Sequence, residues 1–260
     1  MCPILGAAAY GALVTILAIL VAVGGVALVQ YLVPWRLRQQ HNDVAGFIYA
    51  VLGVVYAVLL GFTTIVVWEN FDLARSTTES EANELAELFW LARELPDSQG
   101  ERVQKLAHSY AEVVVDEEWA KMEEGEASER AWAIVEEMRL VVYGFQPETG
   151  REEVIYGRGM TLVHDLVDQR RLRLLESEQG IPRVLWEVLV VGGIIVVGFT
   201  YLFGLENTRS HTLIIGSLAA IIALVLFTIY ALDKPFSGVT RVQPDSFELV
   251  LDTFEEYSGR

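Results

Sequence analysis

The sequence predicts an all-α polytopic membrane protein, with four transmembrane helices and a cytoplasmic helical domain between the second and the third. Three observations carry this. Hydrophobic residues make up 53% of the chain, yet the formal net charge is −16. Both can hold only if apolar and charged residues are segregated, and four apolar blocks are almost free of charge. The stretch between blocks two and three is rich in Glu and Arg and carries helical periodicity, with no β alternation of comparable length.

The blocks cover residues 7–32, 45–68, 184–203 and 212–232. Each is at least about 20 residues long, enough for a helix to cross a ~30 Å hydrocarbon core. A helix is the open-chain solution there because it satisfies its own backbone polar groups. The first block lacks a basic n-region and is too long for a signal-peptide core, so it reads as a span. Nothing before Cys2 resembles a lipoprotein signal. Cys2 is the sole cysteine, so no intrachain disulfide can form. The expected organisation is 1–68 for spans one and two, 69–183 for the cytoplasmic domain, 184–232 for spans three and four, and 233–260 for a cytoplasmic tail.

With four spans, both termini and residues 69–183 share one side of the membrane. That side carries Arg75, Arg170, Arg171, Arg173, Arg183, Lys234 and Arg241, against Arg36, Arg38 and Arg209 in the short loops. The bias predicts a multi-pass inner-membrane protein with both termini in the cytoplasm, although Arg36 and Arg38, directly after the first span, point the other way. Trp35, Trp68, Trp186 and Tyr230 lie at span ends, where an aromatic belt belongs.

No Pro or Gly separates Trp68 from the run "ENFDLARSTTESEANELAELFW", so the second span is expected to continue beyond the membrane as one helix, with Leu73, Leu85, Leu88 and Phe89 as its apolar contacts. Further on, Val103, Leu106, Tyr110 and Val113 share a helical face. So do Ala131, Ile134, Val135, Met138, Val141 and Val142, and again Leu162, Val163, Leu166 and Val167. Breaks are expected at 96–100, 144–150 and 180–182. These helices pack most naturally as a bundle.

Enzymatic chemistry finds no plausible residue set. The Glu pairs 117–118, 123–124, 136–137 and 152–153 alternate with apolar stripes and read as solvated helix faces. His41, His108, His164 and His211 lack metal-ligand spacing, and phosphate-loop, nucleophile-elbow and EF-hand patterns are absent from the sequence. No cofactor or metal is implied, and the acidic balance argues against nucleic acid. Glu187 is either an interfacial carboxylate reaching headgroup water or a group facing a water-filled path. Gly24–Gly25 and Gly192–Gly193 read as close helix packing.

The second span holds the most informative stripe. Val54, Val58 and Phe62 follow i, i+4, i+8 spacing, and Gly61 beside Phe62 would admit a neighbouring helix. From spacing alone the stripe reads as packing or lipid contact.

"LLGFTTIVVW" resembles the second-span segment of bestrophin channels, in which three apolar side chains form the neck of the pore. The resemblance places that neck on Val54, Val58 and Phe62. "ALDKPFSGVTRVQPDSFE" resembles the bestrophin segment in which a Pro-Phe-Gly element precedes an acidic run, with Pro235, Phe236 and Gly238 as the matching residues. The form "LDKPFSG", with Asp233 and Lys234, and "IPRVLW" before the third span are closer to the bacterial bestrophin-like domain family of four-span inner-membrane proteins. The dense acidic run of the animal calcium clasp is missing; Asp245 and Glu248 remain near Arg241. Val stands at two neck positions where bestrophins carry bulkier residues.

The leading reading is therefore an oligomeric channel for inorganic ions, a pentamer by resemblance, embedded in the lipid bilayer and gated at an apolar constriction. Pro235 is expected to stop the last helix, Phe236 to dock on the cytoplasmic helices and Gly238 to allow the turn. The alternative is a non-transporting scaffold or sensor whose acidic cytoplasmic domain binds a protein partner.

Overall fold

The computed structural model describes residues 2–39 and 42–258. His41 lies outside the described residues. Among these residues the chain is built of helices joined by short loops, in two compact units: residues 2–39, 42–69, 180–233 and 238–240 form the first, and residues 70–179, 234–237 and 241–258 the second.

The first unit contains α1 (Cys2–Leu32), a short α2 (Trp35–Gln39), the first part of α3 (Asn42–Leu91), α8 (Arg183–Thr200) and α9 (Thr208–Leu232). The four long helices are each apolar enough to cross a membrane. Small residues let them pack. Ala22 and Val26 of α1 meet Ile215 and Ala219 of α9. Tyr56, Leu60 and Val67 of α3 meet Leu189, Val196, Ile222 and Ile229.

The paired glycines take up aromatic rings rather than helix backbones. A Cβ on Gly25 would lie 2.5 Å from the Tyr201 hydroxyl, and one on Gly192 2.8 Å from the Tyr56 ring, while Gly24 is open. Two of the helix ends find side-chain partners, as polar backbone near lipid requires. Asn207 caps α9. At the other end of α8, Arg38 Nη1 donates to the carbonyls of Tyr201 and Phe203, and the His211 ring lies 3.3 Å from the carbonyl of Thr200.

The second unit contains the rest of α3, then α4 (Asp97–Val113), a π-turn (Val114–Glu118), α5 (Trp119–Glu123), α6 (Glu129–Tyr143), α7 (Gly150–Glu178) and α10 (Asp245–Ser258). Helix α3 does run on unbroken past Trp68 to Leu91, 50 residues in all from Asn42. The stripes read from the sequence point inward: Val103, Tyr110, Val135, Met138, Leu162 and Leu166 are buried in one core. Leu73 does not join it and is 56% exposed. Ser128 caps α6, and Thr149 with Glu152 forms a capping box on α7. Helix α10 has no counterpart in the sequence reading; it inserts Phe247, Val250 and Phe254 into the core, with Phe254 stacked on Phe89 at 3.9 Å.

Candidate functional site

In the first unit, α3 has two faces. One carries Tyr56, Leu60, Thr63 and Val67, all buried within the protomer. The 3.6-residue period turns Val54, Val58 and Phe62 to the opposite side, where they are 64%, 51% and 68% exposed. Gly61 is open: a Cβ there would meet nothing within 4 Å. Phe47, Val51 and Ile65 extend the same exposed line, and the line ends in an exposed carboxylate, Glu69. These extra members follow from the register of the three predicted residues; burial on the opposite face is what reveals them. Glu187 on α8 is also exposed.

The C-terminal motif divides between local roles. Asp233 accepts hydrogen bonds from the Ile181 backbone N–H at 2.6 Å and from Trp186 Nε1 at 3.2 Å, so it holds the entry to α8. Lys234 is exposed. The Pro235 carbonyl accepts from Val242 N–H at 2.8 Å. Phe236 is 1% exposed, edge-on to Trp119 at 5.7 Å, and Trp119 Nε1 donates to the Val242 carbonyl. Gly238 does not supply a left-handed turn, because among the described residues Gly125 alone has positive φ.

The second unit holds a buried charge cluster that the sequence reading missed. Arg173 donates through Nε to Glu81 Oε2 at 2.6 Å, and through Nη2 to Glu81 Oε1 and to Glu118 Oε1. Arg170 pairs with Glu118 and sits over the Trp132 ring, 4.3 Å from its centroid. Tyr110 donates its hydroxyl to Glu81 at 2.5 Å. All four charged side chains are fully buried.

Burial pushes the Glu118 carboxyl up, but Arg173 and Arg170 outweigh it and hold the group below the ordinary glutamate range. Burial likewise pulls Arg173 down, and Glu81 and Glu118 raise it above its ordinary value. Two expectations change here. Glu118 is not on a solvated face, because the π-turn inserts an extra residue and rotates it inward. Arg170 and Arg173 are spent on internal pairs, so they are not free charges next to a membrane surface.

Of the other ionisable candidates, His108 lies 3.6 Å from Glu112 and His164 3.3 Å from Asp168, each one turn along its own helix. Among the described residues no group of His, Cys, Asp or Glu could hold a metal ion. Asp245 and Glu248 are exposed at the start of α10.

The fold matches that of a bacterial bestrophin homolog from Klebsiella pneumoniae, whose crystal structure was solved by Zn-SAD phasing. The TM-score is 0.71 at 12% identity, covering 94% of this chain and 98% of that one. Two single-substitution variants of that homolog give TM-scores of 0.69, one at 11% identity over 95% and 99% of the two chains, the other at 12% over 94% and 99%. No curated protein matches the chain. At these identities the structures speak for the fold, and the sequence itself matches the model of the Bestrophin-like domain over residues 16–247. Since that match takes in all four apolar helices and both units, the chain belongs to the Bestrophin-like family.

Proposed function

We propose that this chain is one subunit of an oligomeric ion channel in the inner (plasma) membrane, with an apolar neck lined by Val54, Val58 and Phe62 of each copy. The observation that carries the reading is the orientation of α3. The protomer packs Tyr56, Leu60, Thr63 and Val67 and leaves the neck residues uncovered. Copies arranged about an axis would bring those uncovered stripes together, and the open Cβ position of Gly61 leaves room for them to approach. The resemblance to bestrophins supports a pentamer as the form of that assembly. A narrow apolar ring closes by dewetting, since it offers nothing to replace an ion's hydration shell.

The topology that goes with this reading places both termini and the second unit in the cytoplasm. With Arg170, Arg173 and Arg38 buried, the charges left to orient the chain are Arg75, Arg171, Arg183, Lys234 and Arg241 against Arg36 and Arg209, which keeps the sign of the bias. Single cysteines in a Cys2→Ser background test it: an impermeant reagent outside intact cells should not label position 125.

Reconstitution in planar bilayers under asymmetric salt tests the channel itself. Unitary currents support it. Purified, folded protein that never conducts, with labels at 54, 58 and 62 quenched by lipid-bound quenchers, would give the reading to the scaffold.

A further inference from the structure

Among the described residues, the second unit buries five acidic and basic side chains. Glu81, Glu118, Arg170 and Arg173 are fully enclosed, and Glu176 is 7% exposed. Three are acids and two are bases. The first four pair with one another: Arg173 serves Glu81 and Glu118, its remaining Nη1 meets Met122 Sδ at 2.7 Å, and Arg170 serves Glu118, with its own Nη1 enclosed and without an acceptor.

Glu176 is the carboxyl left over. It lies one turn beyond Arg173 on α7. From α3 it receives one neutral hydrogen bond, Thr77 Oγ1 to Oε1 at 3.0 Å. Its other oxygen, Oε2, is enclosed and has no donor. Thr77 is itself 4% exposed.

A carboxylate in such a place is costly, because one neutral donor does not replace its hydration and both guanidinium groups are already paired with Glu81 and Glu118. A carboxylic acid in the same place carries no charge. It also makes the buried set neutral, two carboxylates against two guanidinium groups.

We propose that Glu176 is a proton-binding regulatory residue of the second unit, which on losing its proton adds a third carboxylate to a buried set balanced only while the proton stays. The charged groups that face it are Arg173 on its own helix and, through Arg173, Glu81 of α3 and Glu118 of the π-turn. Arg170 and Tyr110 complete the set, and α3 presents Thr77. Deprotonation would make Glu176 compete for Arg173, and so would strain the pairs by which Arg173 ties α7 to Glu81 of α3.

The direction of its titration agrees: burial raises the Glu176 carboxyl above the ordinary glutamate range, against the smaller lowering by Thr77 and Arg173. An acid whose value rises on folding stabilises the fold while protonated. That contribution is complete below the unfolded value and is lost as pH rises through the folded one. Glu118 works the other way, and its contribution is lost as pH falls. The inference stands on the second unit alone and is independent of whether the protein conducts.

The test is infrared difference spectroscopy of the full chain in nanodiscs, titrated from acid to alkaline pH, with thermal unfolding followed in parallel. Wild type should show a protonated-carboxyl stretch that disappears with a midpoint above that of free glutamate, and its unfolding temperature should fall over the same interval. E176Q should lose the band and flatten that fall, while E178Q, at an exposed position, should keep both. T77V removes the hydrogen bond that lowers the group, so it should move the midpoint upward. A band unchanged in E176Q, or one that titrates in the ordinary glutamate range, overturns the proposal. Should E176Q fail to fold, an unmoved midpoint in T77V overturns it equally.

Discussion

Tyr56 donates its hydroxyl to the carbonyl oxygen of Leu189 at 2.8 Å, joining α3 to α8 inside the first unit. The ring reaches that carbonyl because residues 192 and 193 have no side chains. A Cβ on Gly193 would lie 2.8 Å from the Tyr56 hydroxyl and 3.3 Å from Ile222. The bond and the glycine pair therefore fix the rotation of α3, and with it the outward direction of Val54, Val58 and Phe62.

Gly193→Ala should destabilise the protein by about 1–3 kcal/mol, the usual cost of overfilling a packed site. Tyr56→Phe should cost only about 0.5–1.5 kcal/mol, because the Leu189 carbonyl keeps its helical partner. Unfolding in mixed micelles measures both. A Gly193→Ala protein as stable as wild type would contradict this packing.

Arg173→Ala should cost about 3–5 kcal/mol, since it leaves Glu81 buried without a cation and Glu118 with Arg170 alone. Arg171→Ala is its control: the neighbouring side chain is 60% exposed, 3.7 Å from Asp168, and pairs of that kind contribute little. Equal unfolding midpoints for the two variants would show that the cluster is not a stability element.

Phe236→Ala should destabilise the second unit by about 3–5 kcal/mol, as expected for emptying a fully buried aromatic site. Membrane insertion should be unaffected, because the four apolar helices are unchanged. Limited proteolysis of inserted protein distinguishes the two outcomes. A variant as resistant as wild type would make the motif a plain linker.

The four apolar helices were legible because length and hydropathy are additive over a window and survive any local exception. The unbroken α3 was legible because no Gly or Pro interrupts residues 69–91. The charge cluster was not legible. Glu118 falls beside Glu117 in a pair that looks solvated, and the π-turn that rotates it inward leaves no mark in a 3.6-residue template. Arg170 and Arg173 occupy helix α7 beside exposed Arg171; only the partners brought from α3 and the π-turn separate the buried pair from the exposed one. The neck candidates were named from resemblance. Exposure of one face and burial of the other turn them from a sequence stripe into a defined surface.

If copies meet along that surface, the exposed line ending in Glu69 would place a ring of carboxylates at one mouth of the neck, and such rings favour cations. Glu69→Gln should then shift the reversal potential under a salt gradient toward less cation preference, with unitary current still present. A reversal potential that does not move would remove Glu69 from the ion path.

Single-channel recording of Val58→Ser and Phe62→Ala beside wild type is the sharpest check on an apolar neck at these positions. Leu60 and Val67 are unsuitable controls, being buried in the protomer; Val66, on the edge of the exposed arc and 50% exposed, is the proper comparison. A polar or smaller neck should stay wet, so both variants should show higher conductance or longer openings, and Val66→Ser should resemble wild type. Currents that are indifferent to positions 58 and 62, yet altered by Val66→Ser, would contradict the account.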